Sequence, residues 1–541
     1  FGIGAGANKH WTLLANDIDH TLMRNKLLYD FSGSIGTEVY MHSENVVLIY
    51  NGEYYGVYQL CEHVRVGEAR VNVFDWAEYA ESAAETIADA LIKEGKLKYS
   101  EMKSFIEGLE DRMSVDYSWI DTGKITYKGT TYVFTDYGLD APPKATGGFL
   151  LEMDFYSKGN ATLATLPTAY YQPLYFNTPG TDTVEAANSL KNTSLYKYAQ
   201  KYIQTFEYAL HSDDFFFENS DVHYAAAYDN HNTSYKVVNY TDDEHDGYHY
   251  SQLFDMDSLV NNFIFCEFAM NWDSMKNSFF LYKDIDGLAK IGPQWDFDWA
   301  WGNRNMYWIN TWYPTSWHTT ENAFTVEQYY QTVQWNRMLI RDPYFLTLAY
   351  EKWHEIRGTV IENIVGPGGI IEKYSAYLKD AAEANDKRWG YSYAAYGGEK
   401  FKGALNSMLE FINTRLAWLD KQFESIDTLV SSLGYYKTSD KLEITSVNTG
   451  ASTTTVTVTV KDNDIKTVTF QINATTRVDV AVSGGKASYK IDNSLLRKGG
   501  ALNCVEVKAK NAEGEYIVNT TASKPGNYNV IHSNFVSFKL N

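Results

Sequence analysis

The hydrophobic pattern of this chain changes period near residue 431, and no single layer of secondary structure accommodates both parts. Before that point apolar residues recur at helical spacing, as in Phe345, Leu348, Trp353 and Ile356, and again in Leu405, Met408, Phe411, Ile412, Leu416, Trp418 and Leu419. After it, Val456, Val458 and Val460, then Val468, Phe470 and Ile472, then Val505, Val507 and Ala509 alternate with other residues. Turns fall at Asp462-Asn463, Gly484-Gly485 and Gly499-Gly500. A period of 3.6 buries one stripe of a helix, whereas a period of 2 buries one face of a sheet. Two domains follow: an α+β body over residues 1–430 and an all-β unit over residues 441–541, predicted to be an immunoglobulin-like β-sandwich without the Cys-Trp-Cys pattern of antibody domains. The expected role of the second is spacing or adhesion.

Chemistry concentrates at residues 255–303. Asp255 and Asp257 are candidate N-caps for a buried helix carrying Leu259, Phe263, Cys266 and Met270. A loop from Asn271 to Asn277 follows, then a hairpin with strands at 278–283 and 288–295 and a turn at 284–287. If Lys283 faces Leu288, the register sets Asp298 opposite Asp273 and Asp296 opposite Met275, with Cβ atoms roughly 5 to 8 Å apart. Asp273, Asn277, Asp296 and Asp298 then share a neighbourhood in which oxygen ligands suit Mg²⁺. The order Asp, Asn, hairpin, Asp is also how protein kinases set a catalytic-loop Asp and Asn beside a metal-binding Asp, although His-Arg-Asp and Asp-Phe-Gly are absent. Asp and Asn are equally common at ordinary turns, so the spacing alone leaves both readings open.

The runs GPQWDFDWAWG at 292–302 and NWDSMKNSFFLYKD at 271–284 resemble the CotH family of atypical, secretion-associated protein kinases. So do HWTLLANDIDHTLMRNKL at 10–27, NGEYYGVYQLCEHV at 51–64, GGFLLEMDF at 147–155 and NRMLIRDPYFLTLAYEKWHEIR at 336–357. The resemblance covers most of residues 1–425, apart from an insertion at about 76–145. It implies a kinase-like domain with a small mixed lobe and a large helical lobe, ATP and Mg²⁺ as cofactors, and a Ser/Thr acceptor protein of basic, Ser-rich character. It implies Asp273 and Asp296 as catalytic residues and Asn277, Asp296 and Asp298 as metal ligands. Arg24, in the Arg-Asn pair of the family, is expected to contact phosphate or lock a carboxylate such as Glu62; Glu62 and Glu152 are further nucleotide-site candidates. An extracellular, cell-surface or spore-coat location follows, with a signal peptide expected to have been removed. A non-catalytic adhesion or coat protein is the rival reading.

Composition narrows the partners. With 47 basic against 68 acidic residues the formal charge is −21, which argues against sequence-independent nucleic-acid binding. Cys61, Cys266 and Cys504 are widely separated and read as small core residues, and no apolar run is long enough for a membrane span. The Gly-rich start FGIGAGA at 1–7 lacks the Gly-Lys-Ser/Thr of a phosphate loop. A helix is expected from Asn16 with Asp19 near its start, a type I′ hairpin at Asn51-Gly52, an irregular Pro/Tyr loop at 166–180, and a solvated loop holding Asp242, Asp243, Glu244, His245, Asp246 and His249. Trp299, Trp301, Tyr307, Trp308, Trp312 and Trp317 raise a carbohydrate-binding alternative, and Arg357, Arg388 and Arg415 are expected ion-pair anchors.

Overall fold

The computed structural model describes residues 2–4, 6–154, 161–170, 174–229, 232–303, 313–320, 335–390, 400–521 and 528–540. Near the N-terminus a three-stranded antiparallel sheet runs in the order Trp11–Leu14, Glu53–Glu62, Ser43–Tyr50. Asn51 and Gly52 both have positive φ, as the I′ turn requires. The register slips between Leu48 and Ile49, opposite Gly56 at φ +124°. A Cβ on Gly56 would come within 2.6 Å of Asn385 Oδ1 and Trp389 Nε1, so the absent side chain lets helix Ile370–Trp389 dock on this sheet. The backbone N–H of Val57 completes the contact by donating to Asn385 Oδ1 at 2.9 Å. The expected helix from Asn16 starts only at Arg24 and runs to Ser34, because residues 16–23 wrap around the buried Asp19 instead. Its carboxylate accepts from the backbone N–H groups of Thr21, Met23 and Arg24.

The second sheet was only half visible in the sequence. Its five antiparallel strands run in the order Lys290–Ile291, Phe279–Lys283, Phe149–Met153, Leu174–Thr178, Thr165–Leu166. Much of the segment taken for an irregular Pro/Tyr loop is therefore strand, with Tyr170 and Tyr175 buried; Tyr171 and Pro173 lie outside the described residues. One hydrophobic cluster extends from Leu22 to Leu433, so the small sheet, the five-stranded sheet and the helices share a core and do not form two separately cored lobes. At its centre is helix Met256–Ala269, capped by Asp255, which accepts from Ser258 N at 2.8 Å. Every residue from Leu259 to Ala269 is buried, which is why its hydrophobicity runs all round. All three cysteines are buried and free.

The C-terminal strands form a three-stranded sheet (Leu442–Thr449, Thr453–Val460, Lys486–Asp492) and a four-stranded sheet (Thr476–Ala481, Thr467–Ile472, Leu502–Lys510, Ser533–Lys539). Val456, Val458 and Ile491 of the first meet Val468, Phe470, Val505 and Val507 of the second in one core. This unit is fixed to the body by Arg477, which pairs with Asp214 and Glu218 at 2.8 Å each, and by Arg497, which pairs with Glu351 at 2.5 Å. Ser537 meets Thr347 of helix Pro343–Ile356 at 2.8 Å, and that helix packs on the central helix. Among the described residues no helix is long and apolar enough to cross a membrane.

Candidate functional site

The central helix ends at Met270, whose left-handed conformation (φ +46°) turns the chain into the loop that carries Asp273 and Asn277. Met275, Ser278, Asp296 and Trp301 also have positive φ, a conformation that costs energy for residues with side chains and clusters where function over-determines the backbone. Within the loop, the backbone N–H groups of Lys276 and Asn277 donate to the Asp273 carbonyl at 3.1 and 3.0 Å, and Asn277 Nδ2 donates to Asp273 Oδ1 at 2.6 Å. The returning segment is tied to the loop twice. Ser278 Oγ donates to Asp296 Oδ2 at 3.2 Å, and Asn271 Nδ2 donates to the Asp296 carbonyl at 2.9 Å.

The expected hairpin register is off by one. Leu281 faces Ile291 and Tyr282 faces Lys290, and the returning strand is only two residues long. A one-residue slip moves every side chain to the other sheet face, so ladder register cannot be what gathers the acids. The two loops do it, through the contacts to Asp296 and through a buried amide relay from the small sheet. Gln59 donates to Ser43 Oγ, Asn16 to Gln59, Asn25 to Asn16, and the backbone N–H of Phe297 to Asn25 Oδ1 at 2.6 Å. Tyr29 adds a third support, stacking on Trp295 and accepting from Asp296 N at 3.5 Å.

Asp273, Asp296 and Asp298 are half-buried around a buried floor of Asn271, Lys276 and Asn277. Burial first, then the charges of Asp296, Asp273 and Asp19, push the Asp298 carboxyl up to about 8, against the opposing pull of Arg24. The Oδ1 atoms of Asn271, Asn277 and Asp298 are shielded from solvent, yet no hydrogen-bond donor reaches them. Surplus acceptor oxygens and mutually repelling carboxylates are what a hard cation would relieve, so the donor set fits Mg²⁺. Among the described residues no group of three or more His, Cys, Asp or Glu side chains is arranged to hold a metal unaided. The fit is thus to an ion that takes one or two carboxylates and completes its shell from substrate and water.

Arg24 is nearby but does not lock Glu62. Its Nε donates to the Ala300 carbonyl at 2.9 Å and its guanidinium pairs with Asp19, bracing the loop after Asp298. Glu62 pairs instead with buried Arg70 at 2.5 Å and with His42 at 2.9 Å, because the apolar end of its strand leaves a carboxylate no solvent. Glu152 accepts from Asn177 at 3.3 Å on the neighbouring strand. Sequence reasoning passed over Lys276, a buried amine 3.2 Å from the centre of the Trp272 ring, lowered to about 7 by burial while Asp273 opposes the shift. It also gave Asp19 a helix-start role only. Position between Asp273 and Asn277 was the available signal for Lys276; for Asp19 there was none beyond its proximity to Arg24.

Two other expectations change. Asp242 and His245 are buried and bonded at 2.7 Å, with Lys201 3.1 Å from the carboxylate, so the polar stretch is partly an internal network and not a solvated loop. Trp301 and Trp317 bury their rings and donate to Phe268 O and Ser432 Oγ, which removes them as sugar-stacking surfaces. Tyr307, Trp308 and Trp312 lie outside the described residues.

The family model described as CotH kinase protein matches residues 2–118 and 175–419. Asp273, Asn277, Asp296, Asp298, Arg24 and Glu62 fall inside the matched segments; Glu152 falls between them. No curated protein and no solved structure matched the chain.

Proposed function

The chain belongs to the CotH kinase protein family and is kinase-like; from that membership and the acidic loops we propose that it transfers the γ-phosphate of ATP to a Ser or Thr hydroxyl of a partner protein, with Mg²⁺. The observation that carries this reading is the crowding of Asp273, Asp296 and Asp298 beside shielded, unsatisfied oxygens of Asn277 and Asp298. Asn277, Asp296 and Asp298 would hold the metal, which when bound supplies charge neutralisation on the phosphate oxygens. Asp273, held by Asn277 through Oδ1, would orient the acceptor hydroxyl and take its proton as the hydroxyl oxygen attacks the γ-phosphorus and ADP leaves. Lys276 offsets the negative charge of the cluster from below, and Arg24 keeps Asp19 and the 298–300 backbone in place. Positioning and electrostatics account for most of the rate in such transfers. The roles of Glu62 and Glu152 in this reading are to brace the small sheet and the five-stranded sheet.

We further propose domain limits of 1–430 and 441–541, an immunoglobulin-like identity for the second unit, and action outside the cell. A protein that keeps the fold and only adheres is the rival. Calorimetry of ATP with and without Mg²⁺ separates them. The kinase reading expects Mg²⁺-dependent binding in the parent and none in Asp296→Ala, whose partner binding is retained. Absence of ATP binding by the parent overturns it.

A further inference from the structure

A cleft of ≈ 820 Å³ opens at the other end of the five-stranded sheet from the acidic loops, bounded by helices Trp76–Lys93 and Met102–Met113, the chain after strand Glu53–Glu62, and residues 177–180. Thr178 pairs with Leu150, and Leu150 with Tyr282, four residues along the strand from Ser278, which holds Asp296. With about 3.3 Å per residue along the strand and about 4.8 Å for each of the two strand spacings between Phe279–Lys283 and Leu174–Thr178, the cleft lies on the order of 16 Å from the acidic loops, so it is a separate site.

One wall is cationic, formed by Lys9, His10, His63 and Arg65. The four crowd one another: Arg65 above all, then burial, His63 and Lys9 hold His10 below its usual value. Among the described residues no carboxylate pairs with any of them. In a chain of net charge −21, where Asp and Glu outnumber Lys and Arg by 68 to 47, a Lys, an Arg and two His side chains together without an acid partner among the described residues mark a wall kept for an external anion. The helices contribute the opposite sign. Glu81 and Glu110 line the same cleft, and burial followed by the charges of Glu81 and Glu85 raises the Glu110 carboxyl. A ligand matching both walls has an anionic group and a cationic one on the same short chain.

We propose that this cleft docks an already phosphorylated segment of the acceptor polypeptide, its phosphate on Lys9, His10, His63 and Arg65 and a neighbouring Lys or Arg on Glu81 and Glu110. The proposal rests on the phosphotransferase reading, which makes phosphorylated chains the product. Its consequence is a ruler. A separation of roughly 16 Å corresponds to about five extended residues, so a modified residue held in the cleft presents hydroxyls at least that far along the chain to Asp273. Successive transfers on one chain follow.

The test is fluorescence anisotropy on the full chain with a labelled peptide carrying phosphoserine and a Lys three residues on, beside its Ser form and its Lys→Gln form. The phosphoserine form should bind at least about tenfold more tightly than the Ser form, the range expected for hydrogen bonds to a charged group. Arg65→Ala and Lys9→Ala should each remove most of that difference. Glu81→Gln with Glu110→Gln should weaken the Lys peptide and leave the Gln peptide unchanged, and Asp296→Ala should leave all affinities as in the parent. Equal binding of the two serine forms, or no effect of either basic-wall variant, overturns the proposal. So does inorganic phosphate competing at the same concentration as the phosphopeptide, which would show an anion site without peptide docking. Peptide docking without Mg²⁺-dependent ATP binding would instead overturn the transferase reading and leave the cleft assignment standing.

Discussion

Two carboxylate settings, at Glu267 near the end of helix Met256–Ala269 and at Asp298 in the returning segment, are built on opposite terms. Glu267, 1% exposed, accepts from Arg415 at 2.7 Å, from the backbone N–H groups of His318 and Thr319 at 2.8 Å each, and from Thr319 Oγ1 at 2.5 Å. Arg415 gives three further N–H groups to the carbonyls of Glu267, Pro314 and Ser316. Both carboxylate oxygens of Glu267 are met by donors from the protein itself. Around Asp298 the loops at 271–278 and 296–301 give three mutually repelling acids, two amide oxygens and a carboxylate oxygen with no donor, and a run of positive-φ residues. A saturated buried charge is a fastening; an unsaturated half-buried one costs stability until a ligand arrives.

The largest expected effect comes from breaking the fastening. Arg415→Ala strands Glu267 in the core and should lower unfolding free energy by about 3–5 kcal/mol, measured by denaturant melts. The opposite sign is expected at the functional end. Asp298 in the folded chain keeps its proton to about pH 8, whereas in the unfolded chain it loses it near 3.8. Between those values the unfolded state binds fewer protons, so stability falls as pH rises, and below pH 4 the term vanishes because both states are protonated. Asp298→Asn should therefore melt higher than the parent at pH 8, by at least one pKa unit's worth or about 1.4 kcal/mol, with the gap closing toward pH 4. Mg²⁺ should raise the melting temperature of the parent more than that of Asp298→Asn, and its affinity should climb with pH up to about 8. A variant that melts lower than the parent at every pH would mean that Asp298 is a fastening too.

The same contrast explains what could be read in the sequence. The α+β body, the period-2 tail, the Asn51-Gly52 hairpin and the central helix with its Asp255 cap depend on local patterning, and local patterning is what a sequence displays. Asp273, Asn277, Asp296 and Asp298 were legible as a neighbourhood because two short segments carry them, yet the argument used to join them, ladder register, was wrong by one residue. What gathers them is the Asn16–Asn25–Phe297 amide relay and the Tyr29 support, which cross more than two hundred residues of chain. Arg24 was expected to contact phosphate or lock a carboxylate such as Glu62, but Asp19, five residues away, closes around it with far less chain to order. Lys276 stayed unread since an isolated lysine gives no sign of burial until the Trp272 ring and Asp273 are placed.

The smallest expected effect tests whether burial or mere pairing makes the fastening. Arg357 holds Asp420 with two N–H groups, Nε to Oδ1 at 2.8 Å and Nη2 to Oδ2 at 2.9 Å, where Arg415 gives the Glu267 carboxylate Nη2 and the Glu267 carbonyl Nε; the members of the outer pair are 27% and 40% exposed and those of the inner pair 0% and 1%. Water screens the outer pair and solvates either member left alone, so Arg357→Lys should cost under about 1 kcal/mol. The matching Arg415→Lys should cost several times more, because a lysine cannot satisfy three carbonyls and a carboxylate from one point. Denaturant melts of the two variants side by side decide it. Equal losses would place the stability in pairing alone and not in burial, and the unsatisfied oxygens beside Asp298 would then lose their value as a sign of function.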